Sequence, residues 1–394
     1  MGHILVKNAH LYTPTGDWRP GWLLTEGKTI LKMGPGEAPG SEAGFASETI
    51  DARGGVLLPG FIDLHVHGAV GRDTMDTSPQ ALADMARFYA RHGVTAFLAT
   101  TWTASRQSLC SALETVRQVC GPIRGGAALL GAHLEGPFLN PERCGAQNVA
   151  WIRRADPAEA GEYLDTGVVK LLALAPEYPE NLWLIDECVR RGIRVSAGHT
   201  AASYEAMQLA VRHGLAQVTH CFNAMRGLDQ RAPGTVGAAL SLPEISCELI
   251  ADNIHVHPAV QKILFDVKGT AGVILITDAI RGAGLPDGDY PIDERALTIK
   301  DGAARLKDGR LAGSVLTMEI ALRNVSQSTQ RPLGELWPAS SWNAARAIGV
   351  SGTKGSLEVG KDADLVLLDE RFEVQLTMAA GEIVWNAADG TQVG

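Results

Sequence analysis

Hydrophobic and polar positions follow two regimes along the chain. Over residues 1–58, short alternating runs (HILVKNAHLYT, GWLLTEGKTILKMG, GVLLPG) are separated by Gly- and Pro-rich turns. They carry no helical period of useful length, which predicts a small β unit. From Phe61 onward an apolar strand is followed by a helix of roughly ten to fifteen residues, and the unit repeats. TAFLAT precedes SLCSALETVRQV, AALLGAHLEG precedes AEAGEYL, VVKLLALAP precedes NLWLIDECVRR, and IRVSAGHT precedes SYEAMQLAVRH. AQVTHCFNAM, ISCELIADN with PAVQKILFDV, and VILITDA follow. Together with LLPGFIDLHVHG these make eight apolar strands, the count of an α/β fold of the (β/α)8 TIM-like barrel kind. Ser78, Ser105 and Ser203 stand where helix N-caps are expected.

Between Arg281 and Leu311 the helix is delayed by a Gly-rich segment with strand-like YPIDERALTI and ARLKDGRL, read as a hairpin-bearing loop at the barrel mouth. Helical text resumes in SVLTMEIALRNVSQS and ELWPASSWNAARAIG, and strand-like text returns from about Gly355. Neither β-rich end is large enough to bury a core alone. The expected organisation is therefore a small β-sandwich domain from residues 1–58 plus 355–394, flanking a barrel domain over 59–354.

Composition narrows the function. With 45% hydrophobic residues in 394, the chain can bury a large core, and its net charge of −9 argues against nucleic acid or an anionic membrane as partner. An anionic substrate has to be met by a local cationic site. The six cysteines (Cys110, Cys120, Cys144, Cys188, Cys221, Cys247) are scattered without a CxxC, as in a reduced cytoplasmic protein. The opening MGHILVKNAHLYTP lacks a signal-peptide layout, and no apolar run reaches membrane-spanning length.

Candidate chemistry gathers at strand ends. His65 and His67 are two apart on a strand, so both imidazoles leave it on one side. An isolated pair of this kind reads equally as two hydrogen-bonded core histidines. Yet Glu135, His199, His220, His255 and Asp278 also end apolar strands, and in a barrel all the carboxyl ends converge on one mouth. Several imidazoles with a carboxylate suit a borderline divalent ion such as zinc or iron, with positions left for water. No GxSxG is present, and Cys221 beside His220 reads as packing rather than as a nucleophile.

PGFIDLHVHG resembles the opening metal motif of the amidohydrolase superfamily. GAHLEGPFLNPE, SAGHT, THCFNAM, ITDA and LAGSVLTM resemble, in order, the signatures of its N-acetylglucosamine-6-phosphate deacetylase family. The resemblance implies metal-dependent hydrolysis of the N-acetyl group of N-acetyl-D-glucosamine 6-phosphate to the amine and acetate. It implies that Glu135, His199 and His220 hold the shared metal and that His65 and His67 hold a second, so one or two ions per subunit. Asp278 becomes the catalytic acid/base and His255 the carbonyl-polarising residue, with Thr277 only structural. Asn223 and Ala224 are implied as phosphate contacts, with Arg231 reaching the phosphate of a neighbouring subunit in a homodimer or higher homo-oligomer. A solvated loop charge is the alternative for Arg231. Ala146, the Asp252, Asn253, Ile254, His255 segment and Leu311, Ala312, Gly313 resemble sugar- and acetyl-contacting stretches.

Two positions depart from that pattern. Gln147 stands where the family usually has a histidine, and Arg281 replaces a small residue, adding a cation near the mouth. Both leave the sugar and acyl group open, N-acetylgalactosamine 6-phosphate being the nearest alternative. A cyclic-amide hydrolase is disfavoured because such relatives bridge their metals with a lysine at the end of the fourth strand, whereas Lys170 begins it and Ala173, Leu174 and Ala175 end it. A non-enzymatic barrel is disfavoured because every ligand position is filled.

Overall fold

The computed structural model describes residues 2–292 and 295–388. Eight parallel strands hydrogen-bond in sequence order: β1 (Phe61–Val66), β2 (Val94–Thr100), β3 (Ala128–Glu135), β4 (Val169–Leu174), β5 (Arg194–Ala197), β6 (Gln217–Val218), β7 (Ser246–Ile250) and β8 (Val273–Ile276). Every residue of β1, β2 and β8 is buried, as strands covered on both faces require. The intervening helices start where the serines stand. Ser78 accepts from the Ala81 N–H, Ser105 from Ser108 and Ser203 from Ala206, each satisfying a backbone donor the helix leaves unpaired.

No ladder joins β1 to β8. The ring closes just beyond them, where the Asp278 N–H donates to the His65 carbonyl at 2.9 Å and the His67 N–H to that of Ala279 at 2.8 Å. The backbone thus sets the first histidine pair against the last carboxylate.

Both chain ends enter one further hydrogen-bonded sheet. Its order runs from Glu382–Asn386 through Val374–Ala379, Leu365–Leu368, Val56–Pro59, Ile4–Thr13 and Gly16–Glu26 to Thr29–Pro35, with Glu48–Asp51 beside Ile4–Thr13. Val56–Pro59 pairs antiparallel with Leu365–Leu368, and alternation divides its side chains. Leu57 and Leu365 join the sheet's own apolar cluster, while Leu58 and Val366 join the barrel core.

Three local departures from the sequence pattern have physical causes. Gly40–Phe45 forms a short helix in the segment read as all β. The strand expected in AQVTHCFNAM is only two residues long, because the chain turns into left-handed conformations from His220. Pro338 breaks ELWPASSWNAARAIG into Leu333–Leu336, a 3-10 turn and Trp342–Ala347.

The segment after β8 does carry hairpins. Gly288–Pro291, Ala296–Lys300, Ala303–Leu306 and Leu311–Ser314 make a four-stranded antiparallel flap. Ile292, Leu297, Ile299 and Leu306 form its own apolar cluster, against which Ile280 and Trp102 pack.

Candidate active site

Strand ends bring the predicted residues together. Asp63, His65 and His67 lie at alternate positions of β1 and just past its end, so they rise from interior to mouth on one face. Glu135 ends β3. His199, His220 and Asp278 follow β5, β6 and β8, and all three are left-handed, with φ of 48°, 31° and 51°. Non-glycine residues pay for that conformation, and such strain gathers at functional sites.

The donors fall into three groups: two at the cavity, Glu135 with His199 and His220, and His65 with His67 and Asp278; and one beneath, His65 with His133 and Glu248. Glu135 Oε1 lies 3.1 Å from the Nε2 atoms of both His199 and His220, which are 3.2 Å apart. Its Oε2 faces His67 Nε2 at 3.1 Å and His65 Nε2 at 3.4 Å. His65 and His67 Nε2 are 3.3 Å apart, and Asp278 Oδ1 lies 3.5 and 3.4 Å from them.

The His199 Nδ1–H is given to the Arg143 carbonyl at 2.9 Å and that of His65 to Glu248 at 3.2 Å. Nε2 of each ring is thereby the nitrogen turned to a carboxylate oxygen, with a proton or a metal cation fitting between them. Two donors on a tetrahedral ion with bonds of about 2.0–2.1 Å stand about 3.3 Å apart, close to the separations seen. The electrostatics call for positive charge at these nitrogens. Burial opposes charge on His65 and His67, but Glu135 and Asp278 outweigh it and hold both above the usual imidazole range. Burial likewise works against the Glu135 and Asp278 carboxylates, yet the imidazoles keep both ionised, with Glu135 far below its ordinary value. The residues therefore fit a divalent ion, with Glu135 placed to serve both cavity groups.

A cavity of about 230 Å³ opens onto this cluster. His67, Glu135, His199, His220, His255 and Asp278 line it, with Ala146, Asn223, Ala224, Leu311 and Gly313. His65 lies beneath, fully buried. Gly313 admits no side chain: at φ 56°, a Cβ there stands 2.8 Å from the Asp278 carbonyl oxygen. His255 gives its Nδ1–H to Asp252 Oδ2 at 2.7 Å, which turns Nε2 to the cavity. Asp252 thus lies behind His255 rather than on the cavity, while Asn253 accepts from Gln261 and Ile254 faces outward. Ala312 points into the flap cluster, and Arg231 is exposed outside the cavity wall.

Gln147 is buried and bridges two segments. Its amide N–H donates to Glu135 Oε2 at 2.7 Å, and its oxygen accepts from the Thr103 N–H at 2.7 Å. The flap grips the loop that carries it, since Arg310 donates to the Gly145 carbonyl at 2.6 Å and Arg295 to that of Ala146 at 2.8 Å. Arg281 is not a free cation at the mouth. It pairs with Asp76 at 3.0 Å and faces Asp73 at 3.8 Å. Cys221 is fully buried, and the neighbouring Cys247 thiol and burial both push its thiol far up, as packing requires.

Sequence reasoning missed the supports beneath the cluster. Glu248, in the middle of β7, accepts from His65 Nδ1 and from the His220 N–H, both at 3.2 Å, and from Gln217 at 2.7 Å. It therefore holds one histidine from each of the two cavity groups. Asp63 accepts from Thr277, and burial pushes its carboxyl up to about 7. His133, whose ring nitrogens have no hydrogen-bond partner among the described residues, is held neutral first by burial and then by His65. A charged residue inside an otherwise apolar strand, as in FIDL and SCELI, is the signal that was there to find.

The pattern of the amidohydrolase family matches residues 56–384. The N-acetylglucosamine-6-phosphate deacetylase of Bacillus subtilis (strain 168) is 40% identical over 348 residues, covering 86% of this chain and 87% of that protein. The N-acetylgalactosamine-6-phosphate deacetylase of Escherichia coli O157:H7 is 37% identical over 83% of this chain and 87% of its own. Among solved structures, a mutant N-acetyl-D-glucosamine-6-phosphate deacetylase from Mycobacterium smegmatis in complex with N-acetyl-D-glucosamine 6-phosphate superposes with a TM-score of 0.90 at 32% identity, covering 98% of this chain and all of that one. Over both its sequence and its fold, the chain belongs to the amidohydrolase family and, within it, to the N-acetylglucosamine-6-phosphate deacetylases.

Proposed function

We propose that this chain is a metal-dependent hydrolase that converts N-acetyl-D-glucosamine 6-phosphate and water to D-glucosamine 6-phosphate and acetate, in amino-sugar catabolism. The observation that carries the reading is the convergence of four imidazole Nε2 atoms and two carboxylates at and beneath the floor of one cavity. Glu135, His199 and His220 would hold one ion and His65 and His67 a second, with zinc or iron best suited to this donor set. A divalent ion held by these residues would supply Lewis-acid chemistry for an amide carbonyl and for water near neutral pH.

The side chains supply the rest. Asp278, ionised and at the cavity wall, takes the proton of the attacking water and returns it to the departing nitrogen, without which the amine does not leave. His255 donates to the carbonyl oxygen as it gains charge. With Nδ1 committed to Asp252, Nε2 donates only from the doubly protonated ring, whose charge the Asp252 carboxylate faces at 2.7 Å.

Asn223 and Ala224, immediately after the His220 turn, offer donors for the 6-phosphate, and Arg231 supplies its charge from a neighbouring subunit of a homodimer or larger oligomer. The exposure of Arg231 outside its own cavity supports that placement. The two β-rich ends expected at 1–58 and 355–394, of which residues 1 and 389–394 lie outside the described residues, act as one supporting domain, and six free thiols suit the cytoplasm. N-acetylgalactosamine 6-phosphate is the second reading, favoured by the Escherichia coli relative at 37% identity.

Asp278→Asn tests the reaction. Metal content should stay at the wild-type level while acetate release falls by about 10²- to 10⁴-fold. Turnover within a few-fold of wild type overturns the assignment.

A further inference from the structure

The catalytic reading leaves one wall of the cavity unused. Trp102, two residues beyond β2, stacks on the His67 ring with centroids 3.8 Å apart and planes at 18°. Its Nε1–H donates to Asp73 Oδ2 at 3.2 Å. Asp73 is itself buried and fixed, accepting from the Met75 N–H at 2.9 Å and facing Arg281. Away from His67, the indole packs against the apolar cluster of the flap. Ring, hydrogen bond and flap hold Trp102 in one orientation, and Arg281 gains a role as the buttress behind Asp73.

The order of the barrel places this wall. In a closed ring of eight strands β2 stands across the mouth from β6, which leads into Asn223 and Ala224. In a pyranose the carbon bearing the 6-phosphate arm, C5, is opposite C2, which bears the acylamino group. A sugar anchored by its phosphate beyond β6, with its amide carbon at Asp278 and Glu135, therefore sends its acyl chain toward β2. The cavity, about 230 Å³ in all, has a fixed indole at that end.

We infer that Trp102, held by Asp73 and Arg281, is the specificity-determining wall that limits the acyl group to about the size of acetyl. The reaction is unchanged: water adds, the C–N bond breaks, and amine and carboxylate are released whatever the acyl length. This rests on the deacetylase reading, so the test separates the two. N-formyl, N-acetyl, N-propionyl and N-butyryl glucosamine 6-phosphate are compared by kcat/KM for the metal-loaded wild type, Trp102→Phe, Trp102→Ala and Arg281→Ala, with metal content measured on each.

A methylene that a pocket rejects changes kcat/KM by about 10- to 200-fold. Wild type should lose at least about tenfold at each step beyond acetyl. Trp102→Ala should raise the butyryl-to-acetyl ratio about tenfold or more, whatever it does to the absolute rate, with Trp102→Phe in between and Arg281→Ala giving a smaller rise in the same direction. If Trp102→Ala does not fold, Trp102→Phe carries the comparison, because it keeps an aromatic ring on His67 while shrinking the wall. A uniform loss across all acyl lengths, or loss of metal with the ratio unmoved, overturns the inference and leaves Trp102 as a support for His67. A wild type indifferent to acyl length also overturns it. A wild type that releases no acetate from the N-acetyl compound overturns the deacetylase reading itself.

Discussion

The Thr277 hydroxyl donates to Asp63 Oδ2 at 2.6 Å, tying the first barrel strand to the residue after the last. The other Asp63 oxygen accepts from the N–H groups of His65 at 3.2 Å and Thr277 at 3.3 Å. With no ladder between β1 and β8, this carboxyl fastens the seam on which His65, His67 and Asp278 sit. Thr277→Val keeps the shape and removes the donor, leaving a fully buried oxygen short of a partner. The expected loss is about 1–3 kcal/mol of stability in urea unfolding of the holoenzyme, with turnover falling as the seam loosens. A change under about 0.5 kcal/mol shows the seam to be held by its backbone bonds alone.

Gln147 should matter through Glu135. Gln147→Leu deletes the 2.7 Å bond that fixes Oε2, the oxygen facing His65 and His67. Groups that orient a metal ligand are typically worth about 10- to 100-fold in metal affinity. Competition with a chelator should show a loss of that order for the more weakly held ion, and Gln147→His should recover part of it. Unchanged affinity in the leucine variant means Glu135 is held by its imidazoles.

Much of this was legible in the pattern of the chain. The alternation of apolar strand and helix located all eight barrel strands, and the cap serines located helix starts, because both are local signals. The convergence of the candidate ligands was legible because barrel topology makes every strand end a mouth position. What escaped was relational. Nothing in SCELI says that Glu248 meets His65, 183 residues away, and nothing in TTWTAS says that Trp102 stacks on His67. Arg281 was legible as an unusual cation but not as the partner of Asp76, since that contact depends on how two mouth loops meet. The left-handed turns at His199, His220 and Asp278 left no mark either, because none of them is the glycine that such a φ would advertise.

The two donor groups at the cavity predict a hierarchy of metal loss. Glu135 offers one oxygen to each group, so Glu135→Ala should strip both ions, and elemental analysis should find metal falling together with acetate release. His65→Gln or His67→Asn should remove only the second ion and leave the group of Glu135, His199 and His220 loaded. Stoichiometric metal in Glu135→Ala contradicts the ligand set, and total metal loss in either histidine variant contradicts the hierarchy.

Arg231 tests substrate class and assembly at once. It lies in the loop between the His220 turn and the Gly234–Ser241 helix, exposed and outside the cavity of its own chain. If its guanidinium pairs with the 6-phosphate in a neighbouring subunit, Arg231→Ala should lower kcat/KM for the phosphorylated sugar by roughly ten- to a hundredfold, the effect of losing a charged hydrogen bond. N-acetylglucosamine without phosphate should scarcely change. Mixing Asp278→Asn with Arg231→Ala protein should then restore activity, because a mixed dimer can hold one cavity with an intact Asp278 served by an intact partner arginine, which neither parent has. Equal loss on both sugars makes Arg231 structural and removes its part in phosphate selectivity. Selective loss on the phosphorylated sugar without rescue, under conditions where subunits demonstrably exchange, means the arginine bends into its own cavity and a single chain suffices.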